Sequence, residues 1–182
     1  MKKNKLGVTL SYLLRHNPED LIMDKYGWVL LKDIINKLDV TLEDIEYIVV
    51  TNNKKRFGFN EDKTKIKAYQ GHSKKLGLEI TFKEVQFPKF YYHGTQKNVV
   101  SSIQKTGINS KTRAYVHLSK DIETASDVGL RRGKDLVIFE IDANQMKRDG
   151  YKIYESENEV ILIDHVPAKY LKLLKNGKNR EN

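Results

Sequence analysis

The apolar residues of this chain change their period once, after Asn52-Asn53, and that change narrows the folds open to it. Before it they recur at three- and four-residue steps: Leu6, Leu10, Leu13 and Leu14, then Leu31, Ile34, Ile35 and Leu38, then Ile45, Ile48 and Val49. Such spacing puts each set on one face of a helix. Pro18 disfavours helical geometry at Asn17, so the first helix should end near His16 and leave Arg15 and His16 at its carboxyl end. Tyr26-Gly27-Trp28-Val29 reads as a turn and a short extended piece. Thr41 suits the N-cap of the third helix, with Glu43 and Asp44 favourably placed in its first turn. Beyond the change of period, Arg56-Phe57-Gly58-Phe59 and Lys65-Ile66-Lys67-Ala68 alternate, with Asn60-Glu61-Asp62-Lys63 between them as a turn. That is a β-hairpin pattern. Three short helices and a hairpin describe a winged-helix module, which does not by itself establish nucleic-acid binding.

The second half has a different grammar. Tyr91 to Thr95, Ala114 to Leu118, Leu136 to Ile141, Tyr151 to Tyr154 and Val160 to Ile163 read as strands. Val99 to Lys105 reads as a helix stopped at Gly107. Ser119 can cap a further helix that has Asp121 and Glu123 in its first turn. The predicted class is α+β, with an N-terminal winged-helix lobe over 1–86 and a mixed α/β lobe over 87–182. The connection at 74–89 lacks flexible-linker composition, so the lobes should pack together. There is no internal repeat and no low-complexity segment.

A chain of 182 residues suits two small domains, and 39% hydrophobic residues suffice for a core. No apolar run reaches transmembrane length and none follows a basic amino terminus, so the sequence reads as a soluble cytoplasmic protein. With no cysteine, disulfide frameworks, thiol nucleophiles and cysteine-zinc sites are excluded. The formal net charge of +9 concentrates polyanions around the chain, whether nucleic acid, nucleotide or anionic membrane. The same lysines also suit a solvated surface without a partner. Lys172, Lys175, Lys178 and Arg180 read as a solvated basic end.

No carboxylate pair stands out for acid/base work. There is no G-x-S-x-G elbow, no Walker loop and no G-x-G-x-x-G. The histidines have no helical zinc spacing. What remains are histidines in small or polar contexts (His16, His72, His93, His117) and arginines beside glycines, aromatics and histidine: Arg15, Arg56, Arg131 and Arg132. Guanidinium forks bind phosphate and keep their charge. Each alone reads as a surface arginine, and only their convergence would make a site.

Taken in order, these segments resemble a known family. Leu10-Ser11-Tyr12-Leu13-Leu14-Arg15-His16-Asn17-Pro18, Gly27-Trp28, Lys55-Arg56-Phe57 and Ile66-Lys67-Ala68-Tyr69-Gln70-Gly71-His72-Ser73 are similar to segments of the RNA (tRNA) 2′-phosphotransferase family. So are Tyr92-His93-Gly94-Thr95, Val116-His117-Leu118-Ser119, Val128-Gly129-Leu130-Arg131-Arg132-Gly133 and Val166-Pro167. The resemblance implies a winged-helix RNA lobe and an ADP-ribosyltransferase-like lobe that binds NAD⁺. It implies a catalytic set of Arg15, His16, Arg56 and Arg131, the last chosen over Arg132 by the V-G-x-R register. Lys67 and Arg132 would join Arg15, His16 and Arg56 around the RNA and its phosphate. His93, Gly94, Thr95, His117, Leu118, Ser119 and Val160 would hold NAD⁺, and His72 would support the RNA lobe. Three positions depart from the family pattern: Lys67 for a usual arginine, Glu159 for a common glycine, Ile161 for a common aromatic residue.

The implied reaction has two steps. The RNA 2′-phosphate attacks the nicotinamide ribose and displaces nicotinamide. The ADP-ribose O2″ then attacks the phosphate and releases 2′-hydroxyl RNA and ADP-ribose 1″,2″-cyclic phosphate. NAD⁺ is consumed, no metal is required, and the partner is a tRNA-like RNA acted on by a monomer, as in tRNA splicing. Two other functions suit the residues. One is a transferase that leaves ADP-ribose on a terminal phosphate. The other is a nucleic-acid-binding regulator with a degenerate second lobe.

Overall fold

The computed structural model describes residues 3–52 and 54–174; Asn53 and the basic positions Lys175, Lys178 and Arg180 lie outside them. The chain divides into two compact units. The first runs up to Thr81 and takes in Thr112–Ala114; the second has Phe82–Lys111 and the chain from Tyr115 onward. The division falls before residue 86 because Lys83–Glu84 pairs with Tyr154–Glu155 of the second unit.

In the first unit come α1 (Lys3–Arg15), β1 (Val29–Leu30), α2 (Leu31–Leu38), α3 (Leu42–Thr51), β2 (Phe57–Phe59) and β3 (Lys65–Ala68). α1 ends where Pro18 predicts, with the His16 and Asn17 amides both donating to the Tyr12 carbonyl. Thr41 caps α3 in a capping box: its Oγ1 accepts from the Asp44 amide, and Asp44 accepts from the Thr41 amide. The three strands form an antiparallel sheet in the order β1-β3-β2. Leu6, Leu10, Leu13 and Leu14 pack with Ile34, Ile45, Phe57 and Ile66 in one core. Each such buried side chain contributes about 2 kcal/mol of transfer free energy. A single 3-10 turn, Lys74–Leu76, follows. Thr112–Ala114 belongs here because it pairs with 72–74: Lys74 N donates to Thr112 O, Ala114 N donates to His72 O, and Ser73 bridges Arg113.

The second unit contains β4 (Lys83–Glu84), β5 (Phe90–Gln96), α4 (Val100–Thr106), β6 (Ile108–Asn109), β7 (Val116–Leu118) and α5 (Ile122–Leu130). It continues with β8 (Leu136–Asp142), α6 (Ala143–Arg148), β9 (Tyr154–Glu155), β10 (Ile161–Ile163), β11 (His165–Val166) and β12 (Leu171–Leu174). The sheets run β4-β9-β10-β7, β12-β8-β5 and β11-β6. The chain as a whole is mixed α and β, as the α+β class requires. No helix among the described residues is long and apolar enough to cross a membrane.

Three expectations are corrected. Asp121, not Ser119, caps α5 by accepting from the Thr124 amide, because the Ser119 backbone is committed to a two-way bridge with Tyr92. Of Tyr151–Tyr154 only Tyr154 is in a strand; the Tyr151 amide instead turns back to the Met146 carbonyl. Lys172 lies in β12 opposite Glu140 rather than in a tail, although its side chain is solvated as expected.

Glu159, where the resemblance leads one to expect glycine, sits at φ 64. A side chain in this left-handed region costs about 1 kcal/mol. Glu159→Gly should therefore raise the unfolding free energy by about that amount, with a higher denaturation midpoint; a lowered midpoint would show that the carboxylate makes a compensating contact.

Candidate active site

The carboxyl end of α1 delivers Arg15 and His16 side by side. Arg15 is only 7% exposed, and its Nε and Nη2 have no hydrogen-bond partner. Its guanidinium lies over the Phe57 ring, 5.7 Å from the centroid. On another side it meets Gly71, where a Cβ would come within 3.5–3.6 Å of the Arg15 side chain. Burial, then the charges of Arg56 and Arg113, push the Arg15 pKa down to about 9. Burial, then Arg113, Arg15 and Lys75, lower His16 below the usual imidazole range. His16 Nδ1 is 2.8 Å from Ser73 Oγ. Arg56, half-buried just before β2, donates to Asn52 Oδ1 at 3.1 Å. Every charged group that acts on Arg15 and His16 is a cation. Such a set of cations around the two unpaired Arg15 nitrogens suits an anion, and guanidinium forks favour phosphate.

His72 lies in the same unit, 5% exposed, with Nε2 unpaired. Burial, then Arg15, His16 and Lys67, push its pKa to about 4. The unfolded chain, with the ordinary value near 6.5, binds the proton more tightly. Stability from neutral His72 is thus complete above about pH 6.5 and is lost as pH falls towards about 4. The loss should reach about 3 kcal/mol. The stability difference between wild type and His72→Gln, read by urea unfolding, should move against the wild type by about that amount between pH 7 and pH 4; parallel curves would refute it. Lys67, on β3, places Nζ 4.7 Å from the Trp28 ring centroid and 5.8 Å from that of Tyr69.

The second unit assembles the other set. His93 on β5 is half-buried and its Nδ1 donates to the His117 carbonyl at 3.3 Å. A carbonyl only accepts, so Nδ1 carries the proton and neutral His93 keeps Nε2 as an acceptor. Burial lowers the His93 pKa, the His117 carbonyl opposes the fall and Arg132 reinforces it. β5 and β7 meet through the Tyr92–Ser119 bridge, which brings His93, His117 and Ser119 together. Thr95 and Leu118 are buried, Leu118 within the core. Gly94 is covered by α5: a Cβ there would stand 1.8 Å from the Ala125 carbonyl oxygen. Val160 is half-buried and its amide donates to Ser156 Oγ.

Arg131 and Arg132 are exposed and follow α5 in the second unit. The arginine that joins Arg15 and His16 in the first unit is Arg113. Sequence reasoning passed over it, because it stands in a polar turn just before β7 and reaches the cluster only by pairing with Ser73. Among the described residues, no three His, Asp or Glu side chains gather as a metal site.

The fold is a mixed α and β chain of two units, the first of which gathers Arg15, His16, Arg56 and Arg113. Residues 1–165 match the model of the RNA 2′-phosphotransferase, Tpt1/KptA family, and the chain belongs to that family. A probable RNA 2′-phosphotransferase of Fusobacterium nucleatum is 48% identical over 175 residues, covering 92% of this chain and 97% of the relative. Another, from Flavobacterium johnsoniae, is 45% identical over 89% of this chain and 91% of its own. A third, from Trichormus variabilis, is 42% identical over 93% and 96%.

Proposed function

We propose that this chain removes the 2′-phosphate from RNA with NAD⁺ as co-substrate. The observation that carries the phosphate half is Arg15, buried with two unpaired nitrogens among cations alone. Arg15, Arg56 and Arg113 hold the phosphate oxygens and orient the group. We assign the fourth position of the set to Arg113 rather than Arg131; its action on both Arg15 and His16 supports this. His16, neutral near pH 7, contacts the phosphate and moves a proton at Nε2.

The donor set of the second unit fits NAD⁺. Neutral His93 offers an acceptor nitrogen for a ribose hydroxyl, with His117 and Ser119 beside it. When bound, NAD⁺ supplies a ribosyl carbon with nicotinamide as leaving group. We read the first unit as a winged helix, supported by three helices and a three-stranded antiparallel sheet in the chain order α1-β1-α2-α3-β2-β3. We read the second as ADP-ribosyltransferase-like, supported by the His93 and His117 strands joined at Tyr92–Ser119.

A 2′-phosphorylated RNA oligomer should lose its phosphate with NAD⁺ and keep it without. Phosphate loss independent of NAD⁺ contradicts the reading. ADP-ribose left on the RNA by the wild type would select a terminal transferase instead. Arg113→Ala should reduce turnover about 10²–10³-fold and Arg131→Ala much less; the reverse order would return the fourth position to Arg131.

A further inference from the structure

Ser73 touches three members of the cationic cluster. Its Oγ lies 2.8 Å from His16 Nδ1. Its amide donates to the Arg15 carbonyl at 2.8 Å. Its backbone bridges Arg113. An imidazole held at Nδ1 has only Nε2 left for a ligand. We propose that Ser73 is a positioning residue whose hydroxyl fixes the tautomer of His16, donating to Nδ1 so that Nε2–H faces the substrate phosphate. The proposal rests on the reading of the first unit as a phosphate site.

The surroundings favour this tautomer. Arg113, Arg15 and Lys75 are the charged groups acting on His16, and all three are cations. Burial first, and then these cations, favour the neutral ring, in which one nitrogen carries a proton and the other does not. A phosphate oxygen is an acceptor, which the Nε2–H tautomer meets with a donor. The opposite tautomer would point a lone pair at an anion. A hydroxyl both donates and accepts, so Ser73 serves the ring in each protonation state. With the ring cationic, Nδ1–H donates and the Ser73 oxygen accepts. Alanine would remove the partner of Nδ1 and free the ring about χ2, a broad torsion.

The test is nitrogen NMR of the full chain labelled at histidine, with His16 assigned through His16→Gln. Wild type should show the Nε2–H tautomer at His16. Ser73→Ala should mix the tautomers and lower kcat about tenfold at nearly unchanged KM, the size of a partly misaligned proton-transfer group. Ser73→Thr, which keeps the hydroxyl, should restore both. A wild-type His16 protonated at Nδ1 overturns the proposal whatever the variants do. So does Ser73→Ala with unchanged tautomer and turnover, or Ser73→Thr as impaired as alanine. The tautomer is read on the resting protein. A wild type inactive on 2′-phosphorylated RNA would therefore sink the functional reading separately.

Discussion

Arg15→Met should melt at a higher temperature than the wild type while losing at least 10²-fold in turnover. The two effects share one cause. Arg15 is buried, two of its nitrogens are unpaired, and the charges around it repel it. A buried charge without a partner costs several kcal/mol, and an apolar side chain of similar volume removes that cost. Methionine fills the space and adapts to it. The expected gain is about 1–4 kcal/mol. Its pH dependence has a defined sign. At pH 7 the guanidinium is protonated in both the folded and unfolded chain, so the penalty is complete. With the folded pKa lowered to about 9 and the unfolded value well above it, the unfolded chain binds more protons between them. Wild-type stability should therefore recover relative to the variant as pH rises through 9. Inorganic phosphate should raise the wild-type melting temperature and leave Arg15→Met unmoved, since a ligand selective for the native state stabilises it. A variant that melts lower and still turns over would show that Arg15 is a structural residue.

Gly94→Ala should cost about 3 kcal/mol or more, a large value for one methyl group. The added Cβ would lie 1.8 Å from the Ala125 carbonyl oxygen, 2.7 Å from its carbon and 3.2 Å from the Gly129 nitrogen. These are backbone atoms of α5, so relief requires the helix to lift from β5. Gly129 makes the approach reciprocal: its own Cβ would stand 3.0 Å from the Gly94 carbonyl carbon. Gly58→Ala is the control. There a Cβ also meets an atom at 1.8 Å, but the atom is the Tyr69 hydroxyl. A side-chain tip can swing aside, and the cost should be nearer 1 kcal/mol. Urea unfolding of both variants decides it, and equal losses would remove the helix-on-strand account. The resemblance assigned Gly94 to NAD⁺; the close approach of α5 gives it a packing reason that a ligand is not needed to explain.

The first unit was more legible in the sequence than the second, for a physical reason. Its helices carry continuous apolar stripes, and local punctuation marks their ends: Pro18 after α1, Thr41 before α3. The hairpin announced itself by alternation. In the second unit, strands such as β6, β9 and β11 span only two residues. So short a strand carries no period, and its pairing decides it. Ser119 and Asp121 both suit an N-cap locally, and only the Tyr92 bridge decides between them. Arg15 and His16 could be placed at a helix end from the sequence. Arg113 could not be joined to them, because that depends on 112–114 pairing with 72–74. The left-handed backbone at Glu159 was visible only as a departure from a common glycine.

The most direct measurement compares how tightly the resting protein binds two RNA oligomers that differ only in one 2′-phosphate. Wild type should bind the phosphorylated oligomer at least tenfold more tightly, and Arg15→Met should bind both alike. Equal affinity of the wild type for the two oligomers would contradict the assignment of this cluster to the phosphate.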